Sequence, residues 1–205
     1  MNTKFLFAAV PALLIAAPAM AQDEAPAYRG GPRLEVRVGA DDVVVKVGDD
    51  SEGKVGLAFG GELGYDIVTR SGFVIGAYAG IEGATTKDCT AVVGNDALCL
   101  EAKRNITAGV RAGAVVGKGL LYAKGGYTQG RLKISYENTT TPALNDSDSG
   151  NLDGFHVGAG YEVDITRNTY AKIEYVYTNY DTSNDLGLDV DVQRHQGLIG
   201  FGFRF

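Results

Sequence analysis

Ten charged residues recur on one parity of strand-like stretches: Glu35, Arg37, Glu62, Glu82, Arg111, Lys124, Glu162, Lys172, Glu174 and Arg204. Both signs are present, so the set can close into ion pairs or line a path for ions. Groups suited to covalent or metal chemistry are scarce. There are two histidines, His156 and His195. His195 is followed by Gln196-Gly197, so no serine stands where a His-x-Ser pair needs it. His156 shares its parity with Glu162 and reads as a hydrogen-bonded side chain near one rim, not as a general base. Cys89 and Cys99 have no histidine beside them, which argues against a metal site. Gly56, Gly60 and Gly64 recur every four residues, but no helix follows to hold a phosphate. No catalytic, cofactor-binding or metal-ligating set is expected.

The elements that carry these charges alternate with period two, as strands do. Eight such segments can be read. The first, 33–40, turns Leu34, Val36 and Val38 outward and Glu35 and Arg37 inward. The second, 54–66, turns out Val55, Leu57, Phe59, Leu63 and Tyr65, with Glu62 among small inward residues. The third, 72–82, turns out Phe73, Ile75 and Ile81, and turns in Tyr78 and Glu82. The fourth, 103–116, turns out Ile106 and Val110, with Arg111 inward. The fifth begins near Leu120, with Leu121 and Tyr127 out and Tyr122, Lys124 and Thr128 in. Its apolar parity switches beyond Gly130, which reads as a bulge or as the strand leaving the membrane. The sixth, 154–164, and the seventh, 169–178, continue the rule with Phe155, Val157, Tyr161, Ile173 and Tyr175 outward. The eighth is 191–205.

No charge falls on the outward parity of any central stretch, where a Lys or Arg at a bilayer midplane costs about 2 to 4 kcal/mol. The last segment ends on an outward row of Ile199, Phe201, Phe203 and Phe205 with Gly and Arg204 between. A soluble sheet would have to cover that row, whereas a barrel leaves it facing lipid. Gly is abundant, 29 residues, and lies within the segments. Narrow barrels need such small inward residues beside large ones. The connections alternate long and short. Residues 41–53, 83–102, 137–153 and 181–190 are long; 67–71, 117–119 and 165–168 are short. That is the rule for outer-membrane barrels.

Lys4, an apolar run over 5–17 and Ala19-Met20-Ala21 read as a signal peptide, 1–21. A periplasmic lead-in, 22–32, and a barrel, 33–205, then follow. The fold class is therefore all-β, an eight-stranded antiparallel up-and-down transmembrane β-barrel. An even cysteine count in an exported chain favours a Cys89–Cys99 disulfide. A bridge closing about 11 residues contributes roughly 2 to 3 kcal/mol on the chain-entropy model. A net charge of −6, with no basic stripe, argues against nucleic acid as a partner.

The signal peptide, the eight segments, Tyr122-Ala123-Lys124-Gly125-Gly126-Tyr127 and the terminal Gly-Phe-Gly-Phe-Arg-Phe resemble the small opacity-type, OmpA-like outer-membrane proteins of Gram-negative bacteria. The resemblance implies a monomer with extracellular loops and both termini periplasmic. It also implies that the barrel-assembly machinery reads Ile199, Phe201, Phe203 and Phe205. Partners would be outer-membrane lipid and lipopolysaccharide, and an extracellular ligand if the loops bind one. OmpA's additional peptidoglycan-binding domain is not expected here. Small barrels that act on lipid A carry a His-x-Ser or a loop His-Ser-Asp set, which this chain lacks. Eight strands enclose about enough room for side chains, so the inward charges are expected to form an ion-paired plug. The alternative is a narrow small-solute or ion channel. The acidic runs Asp41-Asp42, Asp49-Asp50, 146–148 and 181–191 are expected to be solvated loops or to bind divalent cations.

Overall fold

The computed structural model describes residues 28–47, 50–85, 87–91, 96–138, 146–181 and 190–205. The signal peptide and most of the lead-in lie outside them. Nine strands run in chain order: β1 Gly31–Val47, β2 Asp50–Val68, β3 Phe73–Ala84, β4 Lys87–Ala91, β5 Asp96–Val116, β6 Gly119–Asn138, β7 Asp146–Asp164, β8 Thr169–Asp181 and β9 Val190–Arg204. Every pairing is antiparallel. The order β3-β2-β1-β9-β8-β7-β6-β5 closes on itself through a β3–β5 ladder. Eight strands are therefore the staves of a barrel. β4 pairs with the early part of β5 alone, as a side hairpin at one end.

Alternation sets the two faces. Val36, Phe59, Leu63, Val110, Leu121, Ile173 and Ile199 are exposed on the outside, while the alternate residues of their strands are buried or, at many glycines, half-buried. Large inward rings sit against glycine. Tyr78 is opposed by Gly64 and Gly109, Tyr122 by Gly113 and Gly160, and Tyr170 by Gly202. A side chain at Gly109, Gly113, Gly160 or Gly202 would collide with the tyrosine it faces, as a Cβ on Gly160 would meet the Tyr122 hydroxyl at 2.6 Å, whereas one on Gly64 would strike the Arg33 guanidinium at 2.6 Å.

The two ends differ. One end, the turn end, has three tight connections at 69–72, 117–118 and 165–168. Gly72 (φ 77°) and Gly117 (φ 64°) supply the left-handed backbone that such turns need. At the other end, the hairpin end, three of the expected long loops, 41–53, 83–102 and 137–153, are strand over most of their described residues, while 182–189 lie outside the described residues. β1 and β2 stay paired to Val47↔Asp50, and β6 and β7 to Tyr136↔Asp146. The segment 83–102 carries β4 and the start of β5. These stretches lack apolar alternation, so periodicity ended the strands too early. The irregularity expected beyond Gly130 lies on the facing strand, where the β5–β6 register shifts between Ala102 and Arg104.

The lead-in also differs from expectation at its described end. Gly31 and Pro32 already belong to β1, and Tyr28 is buried inside the turn end of the barrel.

Candidate functional site

All ten of the charged residues that share the inward parity are buried in the lumen. They are joined there by Arg33, Asp41, Asp66 and Arg194, so that seven cations face seven carboxylates among the described residues. A buried charge is tolerable only when paired and hydrogen-bonded, and the strand registers bring opposite signs together in three layers.

At the turn end Arg111 is the centre. Its Nε donates to Asp66 Oδ1 at 2.9 Å and its Nη2 to Asp66 Oδ2 at 2.5 Å. Nη1 donates to Glu162 at 3.1 Å, and Nη2 also donates to the Tyr28 hydroxyl at 3.0 Å. Arg204 pairs with Glu162 and with Asp164, the latter at 2.5 Å. Its guanidinium lies between the rings of Tyr28 and Tyr170, 4.1 and 4.3 Å from their centroids. Cation–π packing of this kind strengthens as water is excluded.

The middle layer is built on Glu62. Its carboxylate receives Arg33 at 2.6 Å, Arg37 at 2.7 Å and Lys124 at 2.8 Å. Glu174 takes Lys172 at 2.9 Å, Lys124 at 3.3 Å and the Tyr122 hydroxyl at 2.6 Å. Glu35 takes Lys172 at 2.6 Å and the Tyr170 hydroxyl at 3.0 Å.

Toward the hairpin end Arg37 reaches Glu82 at 2.6 Å, and Glu82 in turn faces Arg194 at 3.6 Å. Arg194 also grips Asp41, with contacts of 2.5 and 3.1 Å. Asp41 is thus a buried ion-pair partner and not the solvated loop acid expected from its Asp-Asp run. His156 lies 2.5 Å from the Tyr78 hydroxyl through Nε2. An internal cavity beside it, lined by Thr107, Lys124, Thr178 and Gln196, measures about 10 Å³, room for roughly one water.

The other expected positions are elsewhere. His195 faces out against Tyr175, with its Nδ1 2.7 Å from that hydroxyl. Cys89 and Cys99 are direct partners in the β4–β5 ladder. Ile199, Phe201, Phe203 and Phe205 are exposed in one outward row, and the Phe205 N–H donates to Pro32 O at 3.0 Å. Among the described residues no group of three or more His, Cys, Asp or Glu could hold a metal ion.

Arg33, Asp41, Asp66, Arg194 and Gln196 were missed as lumen residues. Their signal was there: each lies on the inward parity of its own strand, Arg33, Asp66, Arg194 and Gln196 within the segments read from the sequence and Asp41 one residue past the first. Tyr28 had no such signal, because it precedes the first strand.

The chain matches the family model for the outer membrane protein beta-barrel domain over residues 7–205. Among solved structures it is similar to Ail, the attachment invasion locus protein of Yersinia pestis, in complex with the heparin analogue sucrose octasulfate. The TM-score is 0.50 at 18% identity, covering 85% of this chain and 99% of that one. Neisserial surface protein A gives a TM-score of 0.52 at 14% identity, with 84% and 97% covered. At these identities the likeness is one of fold. No curated protein matches the sequence.

Proposed function

The chain belongs to the family of outer-membrane β-barrel domains, and from that premise we propose that it is a non-conducting, non-catalytic barrel whose hairpins meet the outside. It is an integral protein of the outer membrane. In our reading the turn end, with both termini, faces the periplasm and the hairpin end is extracellular. The short turns lie at the same end as Phe205, as the rule for such barrels asks.

The neutral, cross-linked lumen is the observation that carries the plug reading. Glu62 alone holds three cations within 2.8 Å, and an ion crossing the barrel would have to break that layer. Such a barrel serves envelope integrity and displays its hairpins. Ail's partner in the solved complex is a polysulfated sugar. The long connections of this chain are acidic by sequence, which suits cationic groups, or lipopolysaccharide bridged by divalent cations, and disfavours a polyanion.

Planar-bilayer recording of the refolded protein tests the plug. Wild type is expected to show little or no current, and Glu62→Ala to admit one as the layer loosens. Steady wild-type conductance with altered ion selectivity in Glu62→Ala would establish a channel instead. Thiol labelling of intact cells at Arg167→Cys and Asp153→Cys tests orientation: Asp153→Cys reacts from outside and Arg167→Cys does not.

A further inference from the structure

The outer wall of the barrel is not uniformly convex. A groove of about 580 Å³ opens on the outside across β7, β8, β9 and β1. Register explains its shape. One lateral row reads Val163–Ala171–Phe201–Val36. Ala171 is the small member of that row and, with the backbone of Gly200, forms the floor. Tyr161 and Ile173 stand in the next row up, and the Tyr161 hydroxyl donates to Val116 O at 3.3 Å across the neighbouring turn. The groove therefore lies in the half of the barrel nearest the turn end, and its lining is apolar apart from Arg37 and Lys172, whose charged groups are buried in the lumen.

The rim below it is basic. Each of the three tight turns carries one exposed cation: Arg70, Lys118 and Arg167. Arg29, beside the start of β1, is exposed as well. Among the described residues no fully exposed acidic side chain lies at this end; Asp164 is half-buried on Arg204. Arg167 sits in the β7–β8 turn directly under the groove. The Lys118 turn touches that turn, since the Asp164 N–H donates to Lys118 O at 3.1 Å. The acid-rich stretches of the sequence lie at the opposite end.

We propose that the groove and the two turns at its foot form a site for an anionic glycerophospholipid. An acyl chain lies over Ala171, and the phosphate sits at the level of Lys118 and Arg167. Charge complementarity selects the headgroup, and the concave apolar floor holds the chain. A second copy of the barrel would meet the same apolar floor, but it would also set basic turns beside basic turns. The site rests on the placement of this end at the phospholipid leaflet.

The test uses nanodiscs with equal phosphatidylglycerol and phosphatidylcholine, followed by native mass spectrometry of lipids retained on the protein. Wild type is expected to retain phosphatidylglycerol preferentially. Removing charge with Lys118→Gln and Arg167→Gln should cut that preference by about fivefold per charge. Ala171→Phe, which fills the floor, should lower retention of both lipids. Arg70→Gln, on the far β2–β3 turn, should change neither. Heat-modifiable migration on a gel confirms that each variant is folded. Equal retention of the two lipids by wild type would overturn the site. So would retention unchanged in Ala171→Phe, or a protein dimer that Ala171→Phe dissolves. Both nanodisc faces present the same lipids, so this outcome is independent of the cell-labelling test of orientation.

Discussion

Arg111 and Asp66 face each other across the lumen from non-adjacent strands, β5 and β2, and meet through two parallel hydrogen bonds of 2.9 and 2.5 Å. The fork geometry of the guanidinium matches the carboxylate. Because neither group reaches bulk water, the pair ties the staves on both sides of β3 to one another.

Arg111→Ala should therefore destabilise the barrel by about 3 to 5 kcal/mol, since Asp66 is left buried with a reduced share of positive charge. The double variant Arg111→Met/Asp66→Leu should recover much of that loss. Glu162 keeps Arg204 in either case. Urea unfolding midpoints in vesicles measure both. A double variant as unstable as the sum of its single changes would show that the two residues do not act as a pair.

The terminal row is expected to matter in assembly more than in packing. Phe205 is 64% exposed and lies edge-on to Phe203 with centroids 4.9 Å apart. Phe205→Asp places a carboxylate where the outward row is apolar and removes the terminal aromatic. Outer-membrane yield should fall sharply, while the protein refolded in detergent still forms a barrel. Equal yield for wild type and Phe205→Asp would count against the row as an assembly signal.

Gly202 tests the small-beside-large rule of the lumen. It is the cross-strand partner of Tyr170, whose ring occupies the space a side chain at 202 would need. Gly202→Val must displace that ring, and with it the 3.0 Å hydrogen bond to Glu35 and the packing on Arg204. The expected cost is about 1 to 3 kcal/mol. Gly197→Ala, where a Cβ would meet nothing within 4 Å, should stay within about 0.5 kcal/mol. Equal unfolding midpoints for the two variants would refute the rule.

The barrel was legible in the sequence because its lipid-facing and lumen-facing residues alternate so strictly. Leu34 to Val38 and Ile199 to Phe205 each state both faces in a few residues. The ten inward charges followed from the same parity. Their pairing did not. That Glu62 meets Arg33 and Lys124 depends on strand tilt and on how far side chains reach across the lumen, neither of which is written along a single strand. Arg194 and Asp41 were hidden for another reason. Asp41 lies just past the apolar alternation of the first segment, where hydropathy stops marking a strand although the ladder continues, and Arg194 sits in 191–205 among Gln193, His195 and Gln196, where both parities are polar and neither face is marked. β4 was invisible because it is too short, and too polar around its cysteines, to show a period.

The same hairpin end carries the last prediction. Cys89 and Cys99 are directly opposed in the β4–β5 ladder. Directly opposed antiparallel residues have Cα atoms about 4.5 to 5.5 Å apart, within the range of about 4.4 to 6.8 Å that a disulfide spans. The purified protein should therefore show no maleimide-reactive thiol until it is reduced, and two afterwards. The consequence should be local. β4 pairs with β5 alone and is not one of the eight staves, so opening the bridge removes a constraint from the hairpin and leaves the barrel ladders whole. Cys89→Ser/Cys99→Ser should make the hairpin cleavable by protease from outside the cell, with the barrel's unfolding midpoint nearly unchanged. Two reactive thiols in the unreduced protein would rule out the bridge. A barrel midpoint lowered by the full 2 to 3 kcal/mol or so that the chain-entropy model gives for such a loop would show instead that hairpin and barrel unfold as one unit.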